Sequence, residues 1–140
     1  MKIVVDSNRV IAALIKESTT REILFGKDFE FVAPDFIMNE VRKYQEEIIT
    51  KSGVSEEEFD VLLSLIFENI EIISEEEYKE FLEKLKDEIK DEKDVPYIAV
   101  SVVSKADGIW THDPHFKEQE KIKIFSNIDM LRISGKAKED

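Results

Sequence analysis

The chain has 140 residues, 42% of them hydrophobic and 37% charged, and carries a formal charge of −12 from 32 acidic and 20 basic side chains. That length and apolar content suit one domain with a sizeable core, and exclude both a multidomain machine and a disordered acidic tail. The absence of cysteine excludes disulfides, thiolate zinc sites, iron–sulfur clusters and a cysteine nucleophile. A net negative chain also argues against a broad basic nucleic-acid face, so a polyanionic substrate requires metal ions or a few local Lys and Arg residues. No apolar run approaches 18 residues and residues 1–5 are too short for a secretion signal, so no membrane association and a cytoplasmic location are expected.

In chain order, Ile3-Val4-Val5 is a short β-branched run of the kind buried on both faces of a sheet, and it ends in Asp6. Val10, Ile11 and Leu14 lie at helical spacing within residues 7–16. Ser18 or Thr19 caps a second short helix holding Ile23 and Leu24, closed by Gly26. Phe29 to Ala33 reads as a second strand, and Pro34 as the start of a helix running to about Lys51 and ended by Ser52-Gly53. Ser55 with Glu58 forms a capping box ahead of Phe59, Leu62, Leu63, Ile66 and Phe67. Ile70 to Ile73 is a third strand. Ser74 with Glu77 repeats the box before Tyr78, Phe81, Leu82, Leu85 and Ile89, and pairs such as Glu75–Lys79 and Glu80–Lys84 mark a solvated face. Asp94-Val95-Pro96 opens a helix with Ile98, Ala99, Val102 and Val103. Gly108 to Thr111 and Lys123 to Ser126 complete five strands, Asn127 caps a last helix, and residues 135–140 form a polar tail to a domain spanning 1–134.

Strands alternating with helices, without hairpin signals, predict an α/β fold: a three-layer α/β/α sandwich around a parallel sheet of about five strands. In such sheets ligands bind beyond the carboxyl ends of the strands, where strand order reverses. Asp6 and Asp113 fall at that edge, although each also suits a helix or turn cap. Glu40 lies beside the apolar stripe Ile37, Val41, Tyr44 and Ile48, while Glu46 and Glu47 read as solvated. Asp94 begins the apolar face of its helix, again with a cap as the bland alternative, and Asp91 reads as exposed. Carboxylates drawn toward a core edge need a cation or a shifted pKa, and basic partners are scarce: Arg9 is nearest and Lys43 faces away. A divalent ion resolves the conflict, and all-oxygen ligation suits Mg²⁺ or Mn²⁺.

Four segments carry a resemblance: Val4-Val5-Asp6-Ser7-Asn8, Asn39-Glu40-Val41, Asp94-Val95-Pro96-Tyr97-Ile98-Ala99, and Ile109-Trp110-Thr111-His112-Asp113-Pro114-His115-Phe116. In that order and at about that spacing, over residues 2–126, the chain resembles the PIN-domain nucleases, which include the toxin halves of many toxin–antitoxin pairs. The resemblance implies that Asp6, Glu40, Asp94 and Asp113 form an acidic catalytic and metal site for Mg²⁺ or Mn²⁺. It further implies that Asn8 and Thr111 orient these carboxylates or touch substrate. Two departures stand out. Arg9 replaces a more usual apolar residue and is placed to contact phosphate or offset the acids, and His115 replaces a further acid, which lowers the expected metal count. The implied activity is hydrolysis of single-stranded RNA, with an antitoxin and a second copy of the chain as expected partners.

Lys16, Arg42, Lys43 and Lys105 are candidate phosphate contacts for which a solvated-surface reading is the default. His112 and His115 lack a fourth ligand for zinc, no serine has an elbow motif, and Gly26, Gly53, Gly108 and Gly135 form no phosphate loop. A phosphoacceptor domain needs an Asp ending the third strand, where Ser74 stands. An aspartyl-nucleophile phosphohydrolase needs Asp at position 8, where Asn8 stands. A PIN-like fold without activity, serving as a binding module, is the remaining rival.

Overall fold

The computed structural model describes residues 1–16 and 18–136, so Glu17 and residues 137–140, most of the expected tail, lie outside the described residues. Five parallel strands, β1 (Lys2–Val5), β2 (Glu30–Pro34), β3 (Ile70–Ile73), β4 (Gly108–Trp110) and β5 (Ile124–Phe125), form one sheet in the order β3-β2-β1-β4-β5. The alternation of strands and helices thus produces the expected α/β sandwich. β1 is central, and Ile3, Val4 and Val5 are wholly buried, as a β-branched run covered on both faces must be. Strand order reverses about β1, which puts the crevice between β1 and β4.

Residues from both sides of that crevice are supplied by helices. α1 (Ser7–Ile15) leaves β1 directly and packs on α2 (Thr19–Phe25), α3 (Ile37–Arg42), α4 (Gln45–Ser52) and α5 (Glu56–Glu68). α6 (Glu75–Leu85) packs on α7 (Val95–Ser104), which lies across β1, β2 and β4. Right-handed crossovers place these two helix groups on opposite faces. α8 (Asn127–Ile133) closes against α2. Gly108 is needed where β4 meets β5, since a Cβ there would stand 2.2 Å from the Phe125 ring. Among the described residues, no helix is long and apolar enough to cross a membrane.

Several expectations need correction. Pro34 ends β2, paired with Ile73, and does not start a helix. The single helix expected to Lys51 is two, α3 and α4, broken at Lys43–Tyr44 with neither Pro nor Gly at the break. Tyr44 therefore leaves the apolar stripe and is 49% exposed. Ser55 does cap α5 by accepting the Glu58 N–H, but the Glu58 carboxylate takes the Ser55 hydroxyl instead of closing the box. Ser74 makes no side-chain cap; Asp35, forty residues away, accepts the Glu75 N–H at 2.9 Å and the Tyr78 hydroxyl at 3.0 Å. The full capping box occurs at Ser126 and Asp129, so Asn127 is the first helical residue of α8 and not its cap. On α6, the pair formed by Lys79 is with Glu76, one turn at i,i+3, and Lys84 lies over the Phe81 ring.

Candidate active site

Asp6 follows β1, and its backbone N–H continues the ladder by donating to the Trp110 carbonyl of β4 at 3.1 Å. That register sets Thr111, one residue past β4, beside it. The Thr111 hydroxyl donates to Asp6 Oδ2 at 2.6 Å, and Asn8 Nδ2 donates to the same oxygen at 3.0 Å and to Thr111 Oγ1 at 3.2 Å. The Asp113 N–H donates to Thr111 Oγ1 at 3.0 Å, so one hydroxyl ties the β1 and β4 ends together. Asp6 starts α1 without a side-chain cap bond, so the bland cap reading does not account for it.

Glu40 reaches the same place from α3, where buried Ile37 and Val41 fix the helix face. Its Oε2 accepts from Ser7 Oγ at 3.3 Å, and its Oε1 from the Tyr97 hydroxyl of α7 at 2.8 Å. Asp94 begins α7, also without a cap bond, and is 9% exposed. Its Oδ2 is buried with no hydrogen-bond partner, a costly arrangement unless something else meets it. Asp113 does act as a local cap, accepting the His115 N–H at 2.9 Å.

Electrostatics follow from this geometry. Burial pushes the Asp6 carboxyl up to about 6, with Glu40 and Asp113 adding to the rise and the Thr111 hydrogen bond opposing it. Burial, then the charges of Asp113, Asp91 and Asp6, push Asp94 up to about 7, and His115 opposes. The Tyr97 phenol is raised by burial and by Asp6 and Glu40, so it stays a donor. The four expected acids therefore come from four separate segments and interact. Among the described residues, no Lys or Arg forms an ion pair with Asp6, Glu40, Asp91, Asp94 or Asp113.

Arg9 is half-buried, and burial lowers its pKa while Asp6 raises it. It does not neutralise the acids by direct pairing. Its Nε donates to Asn8 Oδ1 at 3.0 Å, and Nη1 reaches Thr20 and Asn127, so it braces Asn8 from behind. Lys16, Arg42, Lys43 and Lys105 are all exposed. Arg42 pairs with Asp60, whereas Lys43 lines a cavity beside Glu40 instead of facing away.

The cluster also includes Asp91, which the sequence does not mark, and His115, which the resemblance places where a further acid is usual. Asp91, expected to be an ordinary exposed acid, is half-buried, and its carboxylate lies with Asp94 and a ring nitrogen of His115 so that all three donor atoms fall within 4.8 Å of one another. Two carboxylates and an imidazole are donors that a divalent ion could share, and this is the one such group among the described residues. His115 Nδ1 also stands 3.4 Å from Asp113 Oδ1. The sequence signal for Asp91 is its place three residues before Asp94, and that for His115 is its place two residues after Asp113 in the last of the four matching segments.

A family model described as PIN domain matches residues 4–124, most of the chain and all of the segments above. No curated protein matches the chain significantly.

Proposed function

The chain belongs to the PIN-domain nuclease family, and on that premise we propose that it is a metal-dependent endoribonuclease hydrolysing phosphodiester bonds of single-stranded RNA. One observation carries the reading: buried, mutually repelling carboxylates meet at the β1/β4 crevice without a basic partner, and Asp94 Oδ2 is left unsatisfied. The donor set fits a divalent ion. Asp6, Glu40, Asp94 and Asp113 would hold Mg²⁺ or Mn²⁺, both suited to carboxylate oxygens, and Asp91 and His115, which lie within 4.8 Å of Asp94, would border the same ion. When bound, the ion supplies Lewis-acid activation of water and compensates charge on the phosphoryl oxygens.

The chain's own residues prepare that site. Thr111 and Asn8 hold Asp6 Oδ2, while Ser7 and Tyr97 hold the two oxygens of Glu40, so two carboxylates are oriented before anything binds. Arg9 fixes Asn8 and leaves the acids unpaired. Asp6 and Asp94 keep protons up to about 6 and about 7, so a cation competes with protons and loading strengthens as pH rises through that range. A silent binding module would gain from pairing these acids with Lys or Arg, and the described residues contain no such pair.

The test is incubation of single-stranded RNA with the protein in Mg²⁺, Mn²⁺ or EDTA, beside Asp6→Asn. Cleavage only with metal, and none by the variant, is expected; cleavage in EDTA or undiminished cleavage by Asp6→Asn would refute the mechanism. The proposed setting is the toxin half of a toxin–antitoxin pair acting as a homodimer. Growth arrest on expression, relieved by a co-expressed neighbouring gene, tests the first part, and sedimentation tests the second.

A further inference from the structure

The break between α3 and α4 lies three residues beyond Glu40 and has no local cause in Pro or Gly. Tyr44 stands at the break and is half exposed. The residues around the break bound a cavity of about 590 Å³, within the range of ligand pockets. Phe36, Asn39, Lys43, Tyr44 and Lys93 line it, and it shares Glu40 with the acid cluster.

Each wall has a distinct chemistry. Phe36 is held edge-on by Tyr97, ring centroids 5.6 Å apart at 86°, and Tyr97 in turn grips Glu40, so this wall is rigid. Tyr44 forms no ring–ring contact among the described residues and exposes half its surface. Lys43 and Lys93 have no ion-pair partner among the described residues, although the chain has a 12-charge excess of acids to offer. An open aromatic face, two free ammonium groups and one amide, set in a concavity that adjoins the carboxylates, match the parts of a nucleotide: a π face, a phosphate and a base edge. An apolar peptide anchor would leave the two lysines unused, and a base inside a duplex is already stacked.

We propose that this cavity receives one unstacked nucleobase of a single-stranded RNA next to the scissile phosphate, the base stacking on Tyr44 and the flanking phosphates lying against Lys43 and Lys93. The proposal rests on the ribonuclease reading for its substrate, and it makes Tyr44 a substrate-binding residue that sets the register of cleavage.

The experiment is fluorescence anisotropy with a short fluorescein-labelled single-stranded RNA, using Asp6→Asn protein so that binding is read without cleavage. Tyr44→Ala is expected to weaken binding about tenfold, with Tyr44→Phe and Tyr44→Trp close to wild type. The indole of Tyr44→Trp is expected to be quenched on binding. An RNA abasic at the nucleotide beside the cleavage position removes the difference between Tyr44→Ala and its parent. The double variant Lys43→Gln, Lys93→Gln flattens the dependence of log affinity on log salt by roughly 1.4. In cleavage assays with Asp6 intact, Tyr44→Ala raises KM and leaves kcat in place. Unchanged affinity of Tyr44→Ala overturns the proposal, as does loss of self-association with RNA affinity intact, which would mark an interface between copies. Binding through Tyr44 without cleavage would leave this subsite standing and remove the catalytic reading; cleavage indifferent to Tyr44 would do the reverse.

Discussion

Replacing Asp94 by Asn tests whether the cluster is a strained, cation-seeking site. Asp94 is 9% exposed, its Oδ2 is unpartnered, and its carboxyl is pushed from 3.8 to about 7 by burial and then by neighbouring acids. At about 1.36 kcal/mol per pH unit, keeping it ionised above pH 7 opposes folding by on the order of 4 kcal/mol in metal-free protein. Between pH 3.8 and about 7 the folded state holds a proton that the unfolded state has lost, so stability falls as pH rises across that window. Asp94→Asn removes the charge but buries an amide lacking an acceptor, which costs about 1–3 kcal/mol. The expected net is a gain of about 1–3 kcal/mol at pH 8 in EDTA, vanishing or reversing at pH 5, where the wild-type group is already neutral. Urea denaturation at both pH values measures it. Mn²⁺ should then invert the ranking at pH 8: a ligand at a hundred times its Kd stabilises the wild type by about 2.7 kcal/mol, while the variant gains less. A stability difference independent of pH, or equal stabilisation of both proteins by Mn²⁺, would refute the reasoning.

Thr111→Val removes the 2.6 Å donor that opposes the rise of Asp6, so the acidic limb of the rate–pH profile should move to higher pH, and a move of about one unit lowers cleavage at pH 7 about twofold. A profile that keeps its midpoint would show that Thr111 only packs. Asp35→Ala removes the cap of α6 and the partner of the Tyr78 hydroxyl, and should cost about 2 kcal/mol in urea denaturation without altering RNA cleavage.

How much was legible depended on whether the cause of a feature was local. The strands and the helices α1, α2, α5, α6 and α7 follow from β-branched runs and 3.6-residue spacing, and Asp6 could be placed because it directly follows one such run. Ser74 was misread because a side chain forty residues away takes the cap position, and no nearby pattern records that competition. The meeting of Asp91 with His115 is illegible for the same reason: it depends on how the start of α7 and the turn after β4 lie against one another. Tyr44 is the sharpest case, because its spacing to Val41 and Ile48 is right for a buried stripe and the chain nevertheless exposes it. Burying the exposed half of the ring would stabilise the fold by on the order of 1 kcal/mol. Local pattern and tertiary structure disagree most at sites where function overrides stability. The break beside Glu40 leaves an aromatic face uncovered next to two lysines without ion-pair partners among the described residues and beside the acid cluster, and that coincidence at one crevice favours a bound nucleotide over an accident of packing.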